Sequence, residues 1–145
     1  MISTLAVKLL SQDLPRQDEF AKPKAVTLNF RDDAISVDGS LNFAASSNVI
    51  LKNTAILALF SAATLDDGFY HPRFLLMDNV EDKGMEEIRS HNFQSLILQT
   101  SRMALYDHQI IFTTSMMNPD LDLEQFVVGP RYTHENKTLS IPVGL

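Results

Sequence analysis

Three features are missing from this sequence. It has no cysteine, which excludes a disulfide framework and any thiolate metal site. It has no Gly-Lys pair, which excludes the G-x-x-x-x-G-K-[ST] loop that cradles nucleotide phosphates. It has no uninterrupted apolar run close to the roughly 20 residues that span a bilayer.

Positive charge is also scarce. The 145 residues include 12 Lys and Arg against 18 Asp and Glu, for a net charge of −6 and a pI near 5.0. This balance argues against a large basic face for nucleic acid but leaves a small local patch open, so any contact with DNA is expected to be indirect, through a partner. With 45% hydrophobic residues the composition predicts a globular domain. The N-terminus has no cleavage site and is interrupted by Lys8, so we predict a cytoplasmic protein without membrane contact.

The first forty residues predict a helix, a connector and a β-hairpin. Residues 4–12 predict a short helix that stops by Pro15, and LPRQDEFAKPK predicts the connector. AVTLNF (25–30) alternates as a half-buried strand does, and ISVDG closes a hairpin after the turn RDDA. We therefore divide the chain into an N-terminal helix and connector, 1–24, and a larger lobe, 25–145.

A long helix is predicted next. Residues 47–63 are apolar on most sides, which places this helix deep against a sheet. Ser46 or Ser47 is predicted as its N-cap, because a hydroxyl there accepts a hydrogen bond from an early helix amide.

The centre of the chain predicts one βαβ unit. PRFLLMD (72–78) and HQIIFTT (108–114) are short apolar runs, typical of parallel strands covered on both faces. Residues 84–105 between them have helical spacing, with Glu86 and Arg89 as a local charge pair. The crossover between two such strands is right-handed. The C-terminal remainder predicts short strands and turns around Gly129 and Pro130.

The stretch FLLMDNVEDKGM holds the first candidate for chemistry, Asp78. Open α/β sheets bind ligands beyond the carboxyl ends of their strands, where a carboxylate can take a hard cation such as Mg²⁺. An aspartate ending a strand also caps the loop that follows. The spacing alone leaves both interpretations of Asp78 open.

The order of features around Asp78 resembles the C-terminal lobe of ABC-type ATPase heads, in particular the SMC and RecF-like family. FAASSNVILKN (43–53) is similar to the signature motif and its helix, and FLLMDN (74–79) to the Walker B strand. VEDKGM (80–85) is similar to the D-loop, and IIFTTS (110–115) to the strand that leads into the switch. The resemblance covers roughly residues 25–140 and is most specific at Walker B.

The resemblance implies a role for each acidic residue of the stretch. Asp78 would hold Mg²⁺ and help to neutralise the charge on a transferred phosphoryl group. The next position in the family commonly carries the glutamate that orients the attacking water, and here it is Asn79. An amide can hold a water but cannot take its proton. Either Glu81 or Asp82 substitutes as the catalytic carboxylate, or hydrolysis is slow.

The resemblance also implies nucleotide-binding hydroxyls. The signature serine of the family meets the γ-phosphate of a nucleotide held by the opposite subunit, and Ser46 and Ser47 are the candidates here. Helix capping explains either serine equally well. The switch position that usually carries histidine falls on Thr114 or Ser115, which can hydrogen-bond a phosphate but cannot titrate near neutral pH.

The expected fold class is therefore α/β: a partial P-loop NTPase lobe with a mainly parallel sheet flanked by helices and an N-terminal β-hairpin. Because a Walker A loop is absent, the resemblance implies half of a composite site for ATP and Mg²⁺. A Walker A-containing lobe would complete it, and only then would the chain hydrolyse ATP, in DNA repair, chromosome handling or defence. An isolated lobe should expose apolar surface, so we also predict self-association or an obligate partner.

Two other hypotheses stay open. In the first, the chain is a non-catalytic interaction module that keeps a degenerate ATPase-lobe fold. Asn79 and the loose match to the signature motif favour this hypothesis. Alternatively, it is a small free-standing enzyme that uses Asp78, Glu81 and Asp82 as a metal site.

Overall fold

The computed structural model describes residues 1–82, 84–130, 132, 135 and 136. Its fold is mixed α/β, with one antiparallel hairpin, one parallel strand pair and helices. In chain order the elements are α1 (Ile2–Leu10), α2 (Asp18–Ala21), β1 (Val26–Asn29), β2 (Ala34–Val37), α3 (Ala45–Leu65), β3 (Phe74–Met77), α4 (Glu87–Arg102), β4 (Gln109–Phe112) and a 3-10 helix (Pro119–Leu121).

The N-terminal helix belongs to the core. Helix α1 begins and ends two residues earlier than the predicted 4–12 and packs along α3. It contributes Ala6, Leu9 and Leu10 to the same buried cluster as the residues of the predicted lobe. A domain boundary near residue 24 therefore stays a prediction, and the two segments share one core.

The predicted hairpin is confirmed. Strands β1 and β2 are antiparallel, with Val26 opposite Val37 and both side chains buried. Asp38, at a positive φ of 51°, accepts hydrogen bonds from the amides of Lys24 and Ala25 at 3.0 and 2.8 Å. The hairpin is thereby fixed to the connector that precedes it.

Helix α3 is the central element, and its predicted burial is confirmed. It runs from Ala45 to Leu65, slightly longer than the predicted 47–63, and most of its side chains are buried. By length and composition it is apolar enough to cross a membrane, but 61% of its most apolar window is buried in the fold, as in the core helix of a soluble protein. The N-cap prediction is wrong: Ala44 is the cap residue, and Ser46 and Ser47 lie inside the first turn.

The predicted βαβ unit is confirmed. Strands β3 and β4 pair in parallel, with Leu76 opposite Ile111, and α4 connects them. Helix α4 is shorter than the predicted 84–105. The prediction that both faces of the strands are covered is wrong, because Leu75 and Met77 are buried while Phe74 and Leu76 are 43% and 59% exposed. In the described part of the chain, no layer covers that second face.

The chain beyond β4 contains one regular element in its described part, the 3-10 helix. Asn118 precedes this helix and accepts the Asp120 amide at 3.0 Å. Short strands and turns were predicted around Gly129 and Pro130: the described residues there contain no strand, and Gly129 lies in a bend with a positive φ of 86°. The rest of that prediction, at residues 131, 133, 134 and 137–145, falls outside the described residues.

Candidate functional site

Asp78 lies immediately after β3, beside Thr113, which follows β4. The Thr113 hydroxyl donates to Asp78 Oδ1 at 2.8 Å, and its oxygen accepts the Asn79 amide at 2.8 Å. The backbones also pair here, since the Thr113 amide donates to the Met77 carbonyl and the Val80 amide to the Thr113 carbonyl. One threonine thus fixes both the carboxylate and the turn behind it, while Asp78 stays exposed to solvent.

Asn79 forms the turn that ends the strand. Its φ of 62° lies in the left-handed region, which asparagine tolerates better than most residues with a Cβ. The backbone thus gives a reason for asparagine at a position where the resemblance implies glutamate. Asn79 is exposed at the surface, next to Asp78.

Glu81 is only 4% exposed and is held by donors from two other segments. Its carboxylate accepts hydrogen bonds from the Thr114 hydroxyl at 2.7 Å, from the Ser115 hydroxyl at 2.9 Å and from the Ser115 amide. The Ser90 hydroxyl of α4 lies 3.5 Å away. A buried carboxylate engaged in this way is not presented to a solvent water, so Glu81 is placed to join the loops that follow β3 and β4.

Thr114 and Ser115 therefore bind Glu81. Gln94 of α4, fully buried, supports the same loop: its amide nitrogen donates to the Met116 carbonyl at 2.7 Å, and its oxygen accepts the Asn118 amide at 2.9 Å. These bonds hold the segment after β4 against α4. Both residues predicted at the switch position are thus part of a polar network that also contains the predicted catalytic Glu81.

An open pocket of about 410 Å³ lies between the first half of α3 and the loop after β3. The wall from α3 includes Lys52, and the wall from the loop includes Asn79 and Asp82. Asn53 donates to the Val80 carbonyl at 2.8 Å and so fixes the helix to the loop. Of the two acidic residues predicted to take over from the glutamate, the exposed Asp82 faces this pocket and the buried Glu81 does not line it.

Arg89 holds the start of α3. It donates from Nη1 to Ser46 Oγ and from Nη2 to Ser47 Oγ, both at 3.2 Å. It also forms an ion pair with Asp13 in which Nε lies 3.0 Å from Oδ1, and the two side chains are 2% and 3% exposed. The predicted local pair of Arg89 with Glu86 is formed only as a charge interaction, which adds to the effect of Arg16 in lowering the pKa of Glu86. The direct ion-pair contacts differ: Glu86 pairs with Arg16, and Arg89 pairs with Asp13.

The pair of Arg16 and Glu86 lies at the surface where α4 begins. Arg16 Nε and Nη2 donate to the Glu86 carboxylate at 2.9 and 2.8 Å. The hydrogen bond from Arg16 lowers the pKa of Glu86 below its ordinary value of 4.5. The segment that follows α1, residues 13–16, is thus attached to the start of α4 by one buried and one exposed ion pair.

The number and type of metal-ligating side chains limit which ions the site can bind. Among the described residues, no group of three or more acidic or histidine side chains is placed to hold a metal ion. Asp78, Glu81 and Asp82 therefore do not form the metal cluster that a free-standing metal enzyme would need. A single exposed carboxylate such as Asp78 fits Mg²⁺ only when waters and phosphate oxygens supply the other ligands.

The arrangement contains residues that the sequence did not reveal. Thr113 and Gln94 act on segments distant in the chain, and no local spacing marks them. The sequence marks Arg89 only as a local partner for Glu86 and gives no sign of its contact with Asp13. No protein-family model, curated protein or solved structure matches the chain.

Proposed function

We propose that the chain is the C-terminal half of an SMC/RecF-like ABC-type ATPase head, a partial P-loop NTPase lobe. In this proposal it supplies Walker B, signature and switch elements to a composite site for ATP and Mg²⁺. The work of such a head would be DNA repair, chromosome handling or defence, with DNA contacted through other parts of the assembly. The site is completed by a lobe that carries Walker A.

One observation carries the proposal. Asp78 projects from the carboxyl end of a parallel strand pair, and its carboxylate is oriented by Thr113. The next residue, Asn79, lines a pocket whose other wall is the first half of α3. Ligands of open α/β sheets bind at this edge. The resemblance of FLLMDN to Walker B and of FAASSNVILKN to a signature segment supports the same assignment.

The residues at the end of β3 and in the loop that follows it suggest a separate role for each. When bound, Mg²⁺ would neutralise charge on the phosphates, and Asp78 is the residue that would hold it. Asn79 can orient a water through its amide. Asp82 lines the same pocket and supplies a carboxylate within the loop, while Glu81 ties that loop to Thr114 and Ser115.

The exposed face of the strand pair supports the need for a partner. Phe74, Leu76 and Ile111 lie on one face, as the strand register and the alternation of side chains require. Large contiguous apolar patches on a protein surface are found at interaction sites. A Walker A-containing lobe is the occupant that also provides the phosphate-binding amides and lysine missing from this chain.

Titration of labelled ATP with Mg²⁺ tests the proposal. The chain alone is expected to bind weakly, and the chain together with the Walker A-containing lobe of an SMC/RecF-like head is expected to bind tightly. Asp82→Asn should slow phosphate release in that complex more than Glu124→Asn, a change at an exposed glutamate elsewhere. If addition of the lobe leaves ATP affinity unchanged, the proposal fails.

A second candidate function is a non-catalytic interaction module with the same fold. Two observations favour it. Asn79 stands where the resemblance implies the water-orienting glutamate, and Glu81 is buried with its carboxylate engaged by hydrogen-bond donors. Turnover separates the two candidates. A complex that binds ATP and associates, but releases no phosphate over many hours, supports the module.

A further inference from the structure

A second open pocket, of about 420 Å³, lies between the segment after α1, one face of α4 and the 3-10 helix. Its polar lining comes from α4 and from the 3-10 helix with the residue before it: His91, Asn92, Ser95, Asn118 and Asp120. In the described part of the chain, this lining includes no residue of the proposed nucleotide site. The pocket is therefore a separate place at which the chain can bind a ligand.

Most hydrogen-bond donors of this lining are already used within the protein. The Asn92 Nδ2 group donates to the Gln12 carbonyl at 2.9 Å, and the Ser95 hydroxyl donates to the His91 carbonyl at 3.0 Å. Asn118 Nδ2 donates to that carbonyl at 3.2 Å and to Ser95 Oγ at 3.1 Å. Among the described contacts of these three side chains, only one N–H of Asn92 is left without an acceptor.

Several acceptors of the lining have no donor among the described residues. The exposed carboxylate of Asp120 and Oδ1 of Asn92 accept no hydrogen bond there. The buried Nε2 of His91 has no hydrogen-bond partner and lies 3.6 Å from Glu87 Oε1. Because a carboxylate only accepts, this position favours a ring proton on Nε2 and leaves Nδ1 of the neutral ring as an acceptor. A ligand that donates hydrogen bonds matches this lining.

Charge and shape restrict the ligand further. None of the described side chains that line the pocket is lysine or arginine, and Asp120 supplies a negative charge. Leu14, Ile88 and Pro119 line the same pocket, and Ile88 is 60% exposed. Apolar surface beside acceptors suits a ligand with an alkyl stem and a cationic head.

We propose that this pocket binds an alkylguanidinium group, with Asp120 as its counter-ion and Asn92 Oδ1 as a second acceptor. A guanidinium is planar and carries several N–H donors in a fixed geometry, so it can bond acceptors on α4 and on the 3-10 helix together. A small guanidine compound and an arginine side chain of a partner protein present the same head and stem. The site involves no nucleotide, so it stands or falls independently of the proposed function.

Titration of the full chain with butylguanidinium, followed by ¹H–¹⁵N NMR spectra, tests the site. Saturable shifts are expected at the side-chain amides of Asn92 and Asn118 and at the backbone amide of Asp120, with half-saturation at about 10 mM. Butylurea has the same shape without the charge and should give no saturable shifts. Equal binding of the two compounds, or the absence of saturable shifts with butylguanidinium, would overturn the inference.

Two variants at exposed positions test the counter-ion and the apolar wall. Asp120→Asn should weaken butylguanidinium binding by up to about fivefold, as expected for a partly solvated ion pair, and Asp107→Asn should leave it unchanged. Ile88→Lys places a competing positive charge at the pocket and should also weaken binding. Spectra that keep their dispersion show that each variant is folded. Affinity unchanged in both Asp120→Asn and Ile88→Lys would overturn the placement of the ligand.

The source of the guanidinium is decided by a second ligand. Acetyl-arginine methylamide carries the same head and stem on a peptide backbone. Tighter binding of this compound than of butylguanidinium, lost in Asp120→Asn, supports an arginine side chain of a partner protein. Weaker binding than butylguanidinium supports a small free guanidine compound, because the pocket then disfavours the backbone.

Discussion

At the scale of single residues, Thr113 has the most consequential contacts of the site. Its hydroxyl donates to Asp78 and accepts from the Asn79 amide, so one side chain serves two neighbours. The sequence predicts Asp78, because an acid after four apolar residues is a visible local pattern. It does not predict Thr113, because the partnership spans 35 positions and follows only from the parallel register.

Thr113→Val is expected to lower the free energy of unfolding by about 1 kcal/mol, because two hydrogen bonds are lost at an exposed site. Urea unfolding followed by circular dichroism measures this. Thr27→Val, at an exposed position of β1, is the matched control and should be near neutral. Equal effects of the two substitutions would show that the Thr113 hydroxyl has no structural role.

Asn79→Glu is expected to destabilise the fold by about 1 kcal/mol, because glutamate lacks the tolerance of asparagine for a φ of 62°. Asn79→Gly should be neutral or slightly stabilising at the same position. The same urea experiment tests both. A glutamate variant as stable as wild type would remove the backbone explanation for asparagine at this position.

At the scale of elements, the structure connects α1, α3 and α4 through polar side chains. The sequence predicts all three helices from periodicity, but with ends that differ by a few residues. It misassigns the polar contacts at their ends, because serines 46 and 47 match a local capping pattern and Glu86 and Arg89 match a local pair. In the structure, partners from distant segments take these positions. The two serines bind Arg89 instead of capping the helix, and Arg89 forms its ion pair with Asp13.

Asp13→Ala is expected to cost about 3–5 kcal/mol, because it leaves the buried guanidinium of Arg89 without its counter-charge. Chemical unfolding monitors the loss, and Asp107→Ala, at an exposed position, provides the control. A loss of about 3–5 kcal/mol is expected only if α1 and the residues that follow it fold as part of the core. A loss below about 1 kcal/mol, the range of exposed ion pairs, would contradict the buried geometry.

At the scale of the whole molecule, local patterns predict the hairpin and the βαβ unit but overestimate how much of the parallel strand pair is buried. Short apolar runs look the same whether one face or both are covered, so FLLM suggested complete burial. In the structure, Phe74 and Leu76 remain exposed. The exposed face fits the expectation of apolar surface left for a partner, and the existence of that partner stays a proposal.

Self-association through this face is the expected behaviour of the isolated chain at high concentration. Replacing Leu76 and Ile111 by glutamate should reduce the apparent mass in light scattering, since both side chains lie on the exposed face of the strand pair. Ile88→Glu, at a 60% exposed position on α4, should leave association unchanged. A wild-type chain that stays a compact monomer at high concentration would contradict this expectation.

The most direct test of the composite ATP site is the effect of Asp78→Asn on Mg²⁺-dependent ATP binding. The measurement compares ATP affinity with and without Mg²⁺ for the chain combined with a Walker A-containing lobe. Asp107→Asn is the matched control at an exposed aspartate. Asp78→Asn is expected to abolish the gain in affinity that Mg²⁺ provides, while Asp107→Asn should retain it. A Mg²⁺-dependent gain of the same size in Asp78→Asn and wild type would show that Asp78 does not hold Mg²⁺ in a composite ATP site.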